Sequence, residues 1–486
     1  MYITELWICS EVPFFIANIY LKILEKGISM KNKGNKTVVI DEKTPLLIIA
    51  GPMFMELFLN ILLNNIDTVM LSHYSENAVG AVGNCNTVMF MIIILFNIIA
   101  TATSVVVAQY LGAKQYEKMN TIYTLAFVVN LVVGFVLSGA LVLLRGSIMK
   151  LLNVPEVMRP YAMSYLGIVG GGMFLQACYN VMLQILRCNG HTKVGMYTSV
   201  VINLINIFGN YLFLYGPLKY LDMGVAGVAI STVTARVVAL IIAIVFFYRV
   251  KIGRIQIRLL IPFPGQLLVK MIKIGLPSAG ENLCYNLYQM VLLSFVNRMG
   301  TDAVNARVYC NSLISFAMCF SNAAAMATQI IVGHLVGAGK EEAAYKRVFS
   351  TLKVSLPITI ALATTNWLLC KYTLRIFTSN EVIIQLAFYV MLVDIFIEIG
   401  RCLNMTMVSS LKAAGDYIFP LVVGIFTMWG LGATVGYTLG IVAGIGVAGV
   451  FAGTATDECI RGLIVLARWK SKKWIGRAVV ERKEEK

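Results

Sequence analysis

Charge is scarce in this sequence. Only 13% of its 486 residues are Asp, Glu, Lys or Arg, about half the ~25% of an ordinary soluble chain. With 58% hydrophobic residues and a mean hydropathy of +0.79, that deficit argues against a soluble domain. Histidine is rarer still: His73, His191 and His334 have no acidic or cysteine partner at ligand spacing, which argues against a metal centre. The ten cysteines are dispersed and form no CxxC pair, so neither a disulfide framework nor a zinc site is suggested. There is no Walker loop, no Ser/His/Asp grouping and no paired-carboxylate hydrolase site. These absences point to a protein that is not an enzyme, and they leave no room for the nucleotide domain of an ATP-driven pump. Acidic residues are the minority sign, 24 against 40 basic, giving a net charge of +16. The basic excess lies mostly between apolar blocks, so binding of nucleic acid is not the reading.

The apolar blocks are the main content. Leu46–Leu63, Val88–Ala108, Leu125–Leu144, Leu166–Leu186, Val200–Tyr215 and Val225–Val250 form one series. Ile274–Val296, Leu313–Val336, Thr351–Leu369, Leu386–Leu411, Phe419–Leu439 and Ile441–Leu466 form another. Each is near the ~20 residues that cross a ~30 Å hydrocarbon core, and in lipid such runs must be helical. The expected class is therefore all-α, integral to the membrane, with twelve transmembrane helices. Connections alternate between dense in Lys and Arg (Lys31–Lys43, Lys114–Lys118, Arg187–Lys193, Arg249–Lys273, Lys340–Arg347, Lys412 and the tail from Arg468) and sparse. The sparse set includes Arg145, Lys219, Arg298, Arg307 and Lys371. The positive-inside rule then places both termini in the cytoplasm.

The chain repeats itself. Displaced by 225 residues, Pro52 falls on Pro277, Glu56 on Glu281, Cys85 on Cys310, Asn97 on Asn322 and Gly112 on Gly337. At the same offset Arg187 meets Lys412 and Gly190 meets Gly415. Apolar composition alone would not keep glutamate, proline and glycine in step. Two units of six spans run through the membrane in the same sense, so they are related by an axis along its normal. Two such bundles around a central cleft can rock to open on either side, which argues for a transporter rather than a channel. The expected organisation is a cytoplasmic N-terminal segment 1–44, a first bundle 45–250, a cytoplasmic linker 251–268, a second bundle 269–470 and a cytoplasmic tail 471–486. Residues 1–29 read as a start-site extension or an interfacial helix, because Met30 opens a basic leader.

Ionisable residues within spans cost ~2.5–3.5 kcal/mol on insertion scales and mark function or a structural partner. Asp67 follows Pro52 by about 22 Å of helix, in a polar neighbourhood, Asn64-Asn65-Ile66-Asp67-Thr68. Glu56 and Glu281 stand at equivalent places, each four residues after a proline, and suit either a coupling cation or a basic partner. In span 10, Asp394, Glu398 and Arg401 share one helical face; a Glu398–Arg401 pair would leave Asp394 free. Asp457, Glu458 and Arg461 repeat the theme in span 12, where a structural or gating charge cluster is expected. Gly444 to Gly449 matches GxGxxG without any βαβ context, so no dinucleotide site is read there. Gly432, Gly436, Gly440 and Gly444 read as close helix packing around the turn between spans 11 and 12.

Taken together, NNIDTVMLS at Asn64–Ser72, ENAVGAVGN at Glu76–Asn84 and VVVAQYLGAKQ at Val105–Gln115 resemble the multidrug and toxic compound extrusion (MATE) family. EIGRCLNMTMVSSLKAAGD at Glu398–Asp416 and GVAGVFAGTATDECIRG at Gly446–Gly462 are similar to a bacterial branch of it. The likeness covers Thr44–Trp474. It implies a multi-pass antiporter of the bacterial inner membrane that expels amphipathic cationic compounds in exchange for sodium or protons, with no other cofactor, as a monomer. Asp67 matches the family's span 1 aspartate, implicated in coupling. The family's second-half cation site draws on acids of spans 7 and 10, here Glu281 with Asp394 or Glu398. Two departures shift the emphasis to Asp67: Glu281 lies nearer its proline than the family's acid, and Arg401 falls near the usual span 10 aspartate. The alternative within the superfamily is a lipid-linked oligosaccharide flippase, for which Arg401 and Arg461 would supply cationic contacts.

Overall fold

The structure, a computed structural model, describes residues 40–480 except 43, 376 and 377. Readings that concern residues 1–39 lie outside the described part. The described residues form twelve helical rods. In the first half these are α1 (Leu46–Tyr74), α2 (Glu76–Gly112), α3 (Met119–Leu151), α4 (Arg159–Gly170 with Met173–Cys188), α5 (Lys193–Leu214) and α6 (Gly224–Arg249). The second half contains α7 (Gly265–Asn297), α8 (Thr301–Gly337), α9 (Glu341–Leu374), α10 (Glu381–Ala413), α11 (Ile418–Val442) and α12 (Val447–Lys470).

Ten of these, counting α4 as one bent span, are long and apolar enough to cross a membrane. The other two are α7 and α12. Glu281 of α7 meets Arg461 of α12 at 3.9 Å, so the helices that look least like spans carry charges that face each other. Most rods also run past the ends of their apolar blocks. Arg307 belongs inside α8 and is buried, not in a connection between spans as its place in the sparse charge set implied, because α8 begins at Thr301, well before its apolar stretch.

Two spans are irregular. The segments of α4 meet at 43°, after a π-turn at Leu166–Gly170 and beside the small residues Gly171 and Gly172. In α11 two π-turns, Phe426–Gly432 and Thr438–Val442, interrupt the α pattern. Gly432, Gly436 and Gly440 of the glycine ladder pack closely as expected, a Cβ on Gly453 striking the Gly432 carbonyl and one on Gly440 striking Val450, whereas Gly444 has open space around it. Gly444 and Gly446 take positive φ in the turn between α11 and α12, a conformation that L side chains rarely adopt.

The repeat holds in three dimensions. Cys85 Sγ donates to the Ala162 carbonyl and Cys310 Sγ to the Ala387 carbonyl, at 3.4 and 3.8 Å; both partners are 225 residues apart. Helices α1–α6 pack among themselves, as do α7–α12, and the halves meet through α1 and α2 against α7 and α8. Phe54 packs on Phe320 and Phe58 on Phe316 across that seam, at 6.0 and 5.7 Å between ring centroids. The backbones of the two halves also meet tightly at the end of the bundle that carries both described termini. There Gly112 faces the His334 carbonyl and Gly337 faces the Gln109 carbonyl, with no room for a Cβ at either. Residues 471–480 fold back onto this end. Trp474 stacks on Trp469 at 4.2 Å, and Asp416 holds Arg468 at 2.9 Å and Arg477 at 2.7 Å.

Candidate functional site

In the first half, Asp67 of α1 is half-buried and accepts one hydrogen bond, from Asn210 Nδ2 at 2.8 Å. Asn210 is the last of three buried asparagines on α5, with Asn203 and Asn206. Spacings of three and four keep them on one face. Asn203 Nδ2 donates to the Leu59 carbonyl of α1 at 3.0 Å, and all three side-chain oxygens are buried without a donor. Oriented amide oxygens with open lone pairs suit a cation or a protonated group. Tyr165 of α4 lies beside Thr232 and within electrostatic reach of both Asp67 and Arg236. Arg236 contacts the Met173 sulfur at 3.4 Å and has no carboxylate within the 4.0 Å of an ion pair among the described residues.

Glu56 is not in this group. It is buried against Arg187 of α4 at 2.6 Å. Glu281 makes the equivalent pair with Lys412 of α10 at 2.7 Å. Both glutamates thus have the basic partner that was one of their two sequence readings.

The remaining candidates form one buried network in the second half. Glu398 pairs with Arg401 one helical turn on. Arg401 Nε reaches Glu458 at 3.8 Å, Arg461 reaches Glu458 at 3.2 Å and Asp457 at 3.1 Å, and Asn404 donates to Glu458 at 2.8 Å. Desolvated charges of this kind persist only when paired and hydrogen-bonded. Asp394 stands apart: it is fully buried, and neither carboxylate oxygen has a hydrogen-bond partner. It faces a cavity of about 190 Å³ that Arg307, Arg401 and Tyr285 also line.

Seven acids therefore sit inside the spans beyond the first helical turn. Five are paired with a basic side chain; among the described residues Asp67 and Asp394 are not. Such carboxylates can take up or release a proton or a cation without first breaking an ion pair.

The family model described as MatE matches residues 52–212 and again 277–438, one copy in each half. The chain belongs to the MatE family. It is 33% identical over 450 residues to an uncharacterized transporter, YisQ, of Bacillus subtilis, covering 93% of this chain and 98% of that protein. It is 25% identical to the probable multidrug resistance protein NorM of Thermotoga maritima, covering 94% and 98%. Among solved structures, a MATE protein in the bent conformation superposes with a TM-score of 0.82 at 20% identity, covering 90% of this chain and 98% of that one. This MatE protein is accordingly a membrane transporter with two pseudo-symmetric six-helix bundles. Sequence reasoning named Asp67 as a candidate but not the polar groups that the fold brings to the same region: Asn206, Asn210, Tyr165, Thr232 and Arg236. The signal available for the asparagines was their helical spacing within a span of modest hydropathy.

Proposed function

We propose that this MatE transporter is a secondary active exporter. It moves small amphipathic, cationic compounds outward by alternating access in exchange for protons or sodium, and Asp67 is the coupling carboxylate. The observation that carries the reading is the setting of Asp67, inside a span with one asparagine donor and no ion-pair partner. A bound proton or sodium ion would meet the open amide oxygens of the α5 stripe. An amphipathic cation competing for the same charge would displace it, which is the linkage that antiport requires. The names of relatives as multidrug resistance proteins support the substrate class. The distribution of Lys and Arg supports a bacterial inner-membrane location with both termini in the cytoplasm. In that orientation the closed seam at Gly112 and Gly337 faces the cytoplasm.

The flippase alternative drew on Arg401 and Arg461. Both guanidiniums are engaged by carboxylates, which leaves them poorly disposed toward a pyrophosphate. Efflux of ethidium from cells expressing the protein, with sodium and acid pulses given separately, tests the reading. Export on one of the two pulses is expected. Failure with every cation tried, while the protein is folded in the membrane, would return the flippase reading to the front.

A further inference from the structure

The second half contains a pair of opposite charges that its own repeat does not have. Asp394 of α10 and Arg307 of α8 both line the cavity of about 190 Å³ between α7, α8, α10 and α12. They do not neutralise each other, since no ion pair joins them within 4.0 Å. The two oxygens of Asp394 are buried without a donor. Arg307 Nη2 is held by the Gln289 carbonyl and Oε1 at 3.1 and 3.3 Å, which aims the guanidinium; its Nη1 is buried without an acceptor.

The first half serves as an internal control. The positions 225 residues earlier are Val82 and Val169, both buried. The register at these points is set by Cys85 on Ala162 and Cys310 on Ala387. The same scaffold thus packs with plain apolar side chains at both places, and burying two separate charges works against folding unless something satisfies them. An isolated cation would answer Asp394 and leave Arg307 bare. An isolated anion would do the reverse. One molecule carrying both charges answers both.

We infer that this cavity is a binding site for a small zwitterion, an amino-acid-like solute whose carboxylate is received by Arg307 and whose ammonium is received by Asp394. Guanidinium offers a carboxylate two parallel donors, and Gln289, Asn311 and Thr454 line the same cavity and supply neutral hydrogen-bonding groups. The size agrees: a cavity of roughly 150 Å³ accepts benzene, so this one takes a solute of amino-acid dimensions or the polar head of a larger one. The inference rests on the export reading for its physiological sense, and it extends the substrate class from cations to compounds that also bear an acid.

The test uses the full chain in nanodiscs, with thermal unfolding and titration calorimetry. The panel is the twenty protein amino acids, β-alanine and γ-aminobutyrate, each beside the amine and the acid that lack one of its charges. At least one zwitterion should bind and raise the unfolding midpoint, while its single-charge analogues bind at least tenfold more weakly. Arg307→Val and Asp394→Val reproduce the first half's residues and should each lose at least tenfold in affinity, with Arg307→Gln and Asp394→Asn as shape-conserving checks. Without ligand, each variant should unfold no earlier than the wild type. The inference is overturned if no panel member binds the wild type, or if binding survives both charge deletions. Ion-driven ethidium efflux without zwitterion binding would remove this site and leave coupling at Asp67 intact; binding without ion-driven efflux would do the converse.

Discussion

Gln109 and His334 occupy the same place in the two repeats, and each fastens its own half to the other. Gln109 Nε2 donates to the Ala413 carbonyl at 2.6 Å, and His334 Nε2 to the Cys188 carbonyl at 2.8 Å. The acceptors are themselves 225 residues apart, so the contact is reciprocal about the pseudo-twofold axis. Gln109 does one thing more: its Oε1 accepts from the backbone of Val479 and Val480 at 2.6 and 3.2 Å, tying the tail into the latch. Gly112 and Gly337 let the two backbones come close enough for this to happen.

If the latch holds this end closed, removing it should favour the opposite state. Gln109→Ala or His334→Ala forfeits about 1 kcal/mol for each bond lost, and together they should shift the balance by roughly tenfold or more. Cys188, buried in the wild type, reports this: its alkylation by a membrane-permeable maleimide, read by peptide mass, should quicken in each variant. Unchanged labelling in the double variant would mean that the latch does not set the equilibrium. Gly337→Val should act in the same direction more strongly, because its side chain has nowhere to go.

The Glu56–Arg187 and Glu281–Lys412 pairs should behave as buried ion pairs do. Glu56→Gln alone leaves Arg187 uncompensated and should cost about 3–5 kcal/mol, whereas replacing both partners by apolar residues should cost less. Denaturation midpoints of the two singles and the double, for each repeat, complete the cycle. A double variant as unstable as the sum of its singles would show that the pair is not coupled.

These pairs also show how far the sequence could be read. The offset of 225 aligned Glu56 with Glu281 and Arg187 with Lys412, but equivalence does not say that two positions touch. That depends on the rotation of α1 against α4, which packing decides. The same holds for Arg307, which sequence placed between spans and tertiary structure buries in α8. Helix count, repeat and the isolation of Asp394 from the Glu398–Arg401 pair were legible because they depend on spacing along one chain segment. The surroundings of Asp67 were not, since they come from α4, α5 and α6 and meet only in the fold.

Outside the spans, His191 lies between α4 and α5 against the Phe246 ring at 5.7 Å, and burial lowers its pKa below the ordinary histidine value. A base whose pKa is lowered by folding binds its proton more readily when unfolded, so its contribution to stability falls as pH drops through the ordinary histidine range. Thermal stability should therefore decline on acidification in that window, and His191→Phe should flatten the decline. An identical pH profile in the variant would place the acid sensitivity elsewhere.

The most direct test of the account concerns Asp67. Wild type and Asp67→Asn would be reconstituted in proteoliposomes, and substrate-induced movement of protons and of sodium followed with lumenal indicators. The substitution keeps the side chain's shape and alters one hydrogen bond, so stability should stay within about 1 kcal/mol of the wild type. The wild type should exchange substrate for one of the two ions, and Asp67→Asn, having lost the charge for which ion and substrate compete, should bind substrate more weakly and move no ion. Ion exchange that persists at the wild-type rate in Asp67→Asn would contradict the account.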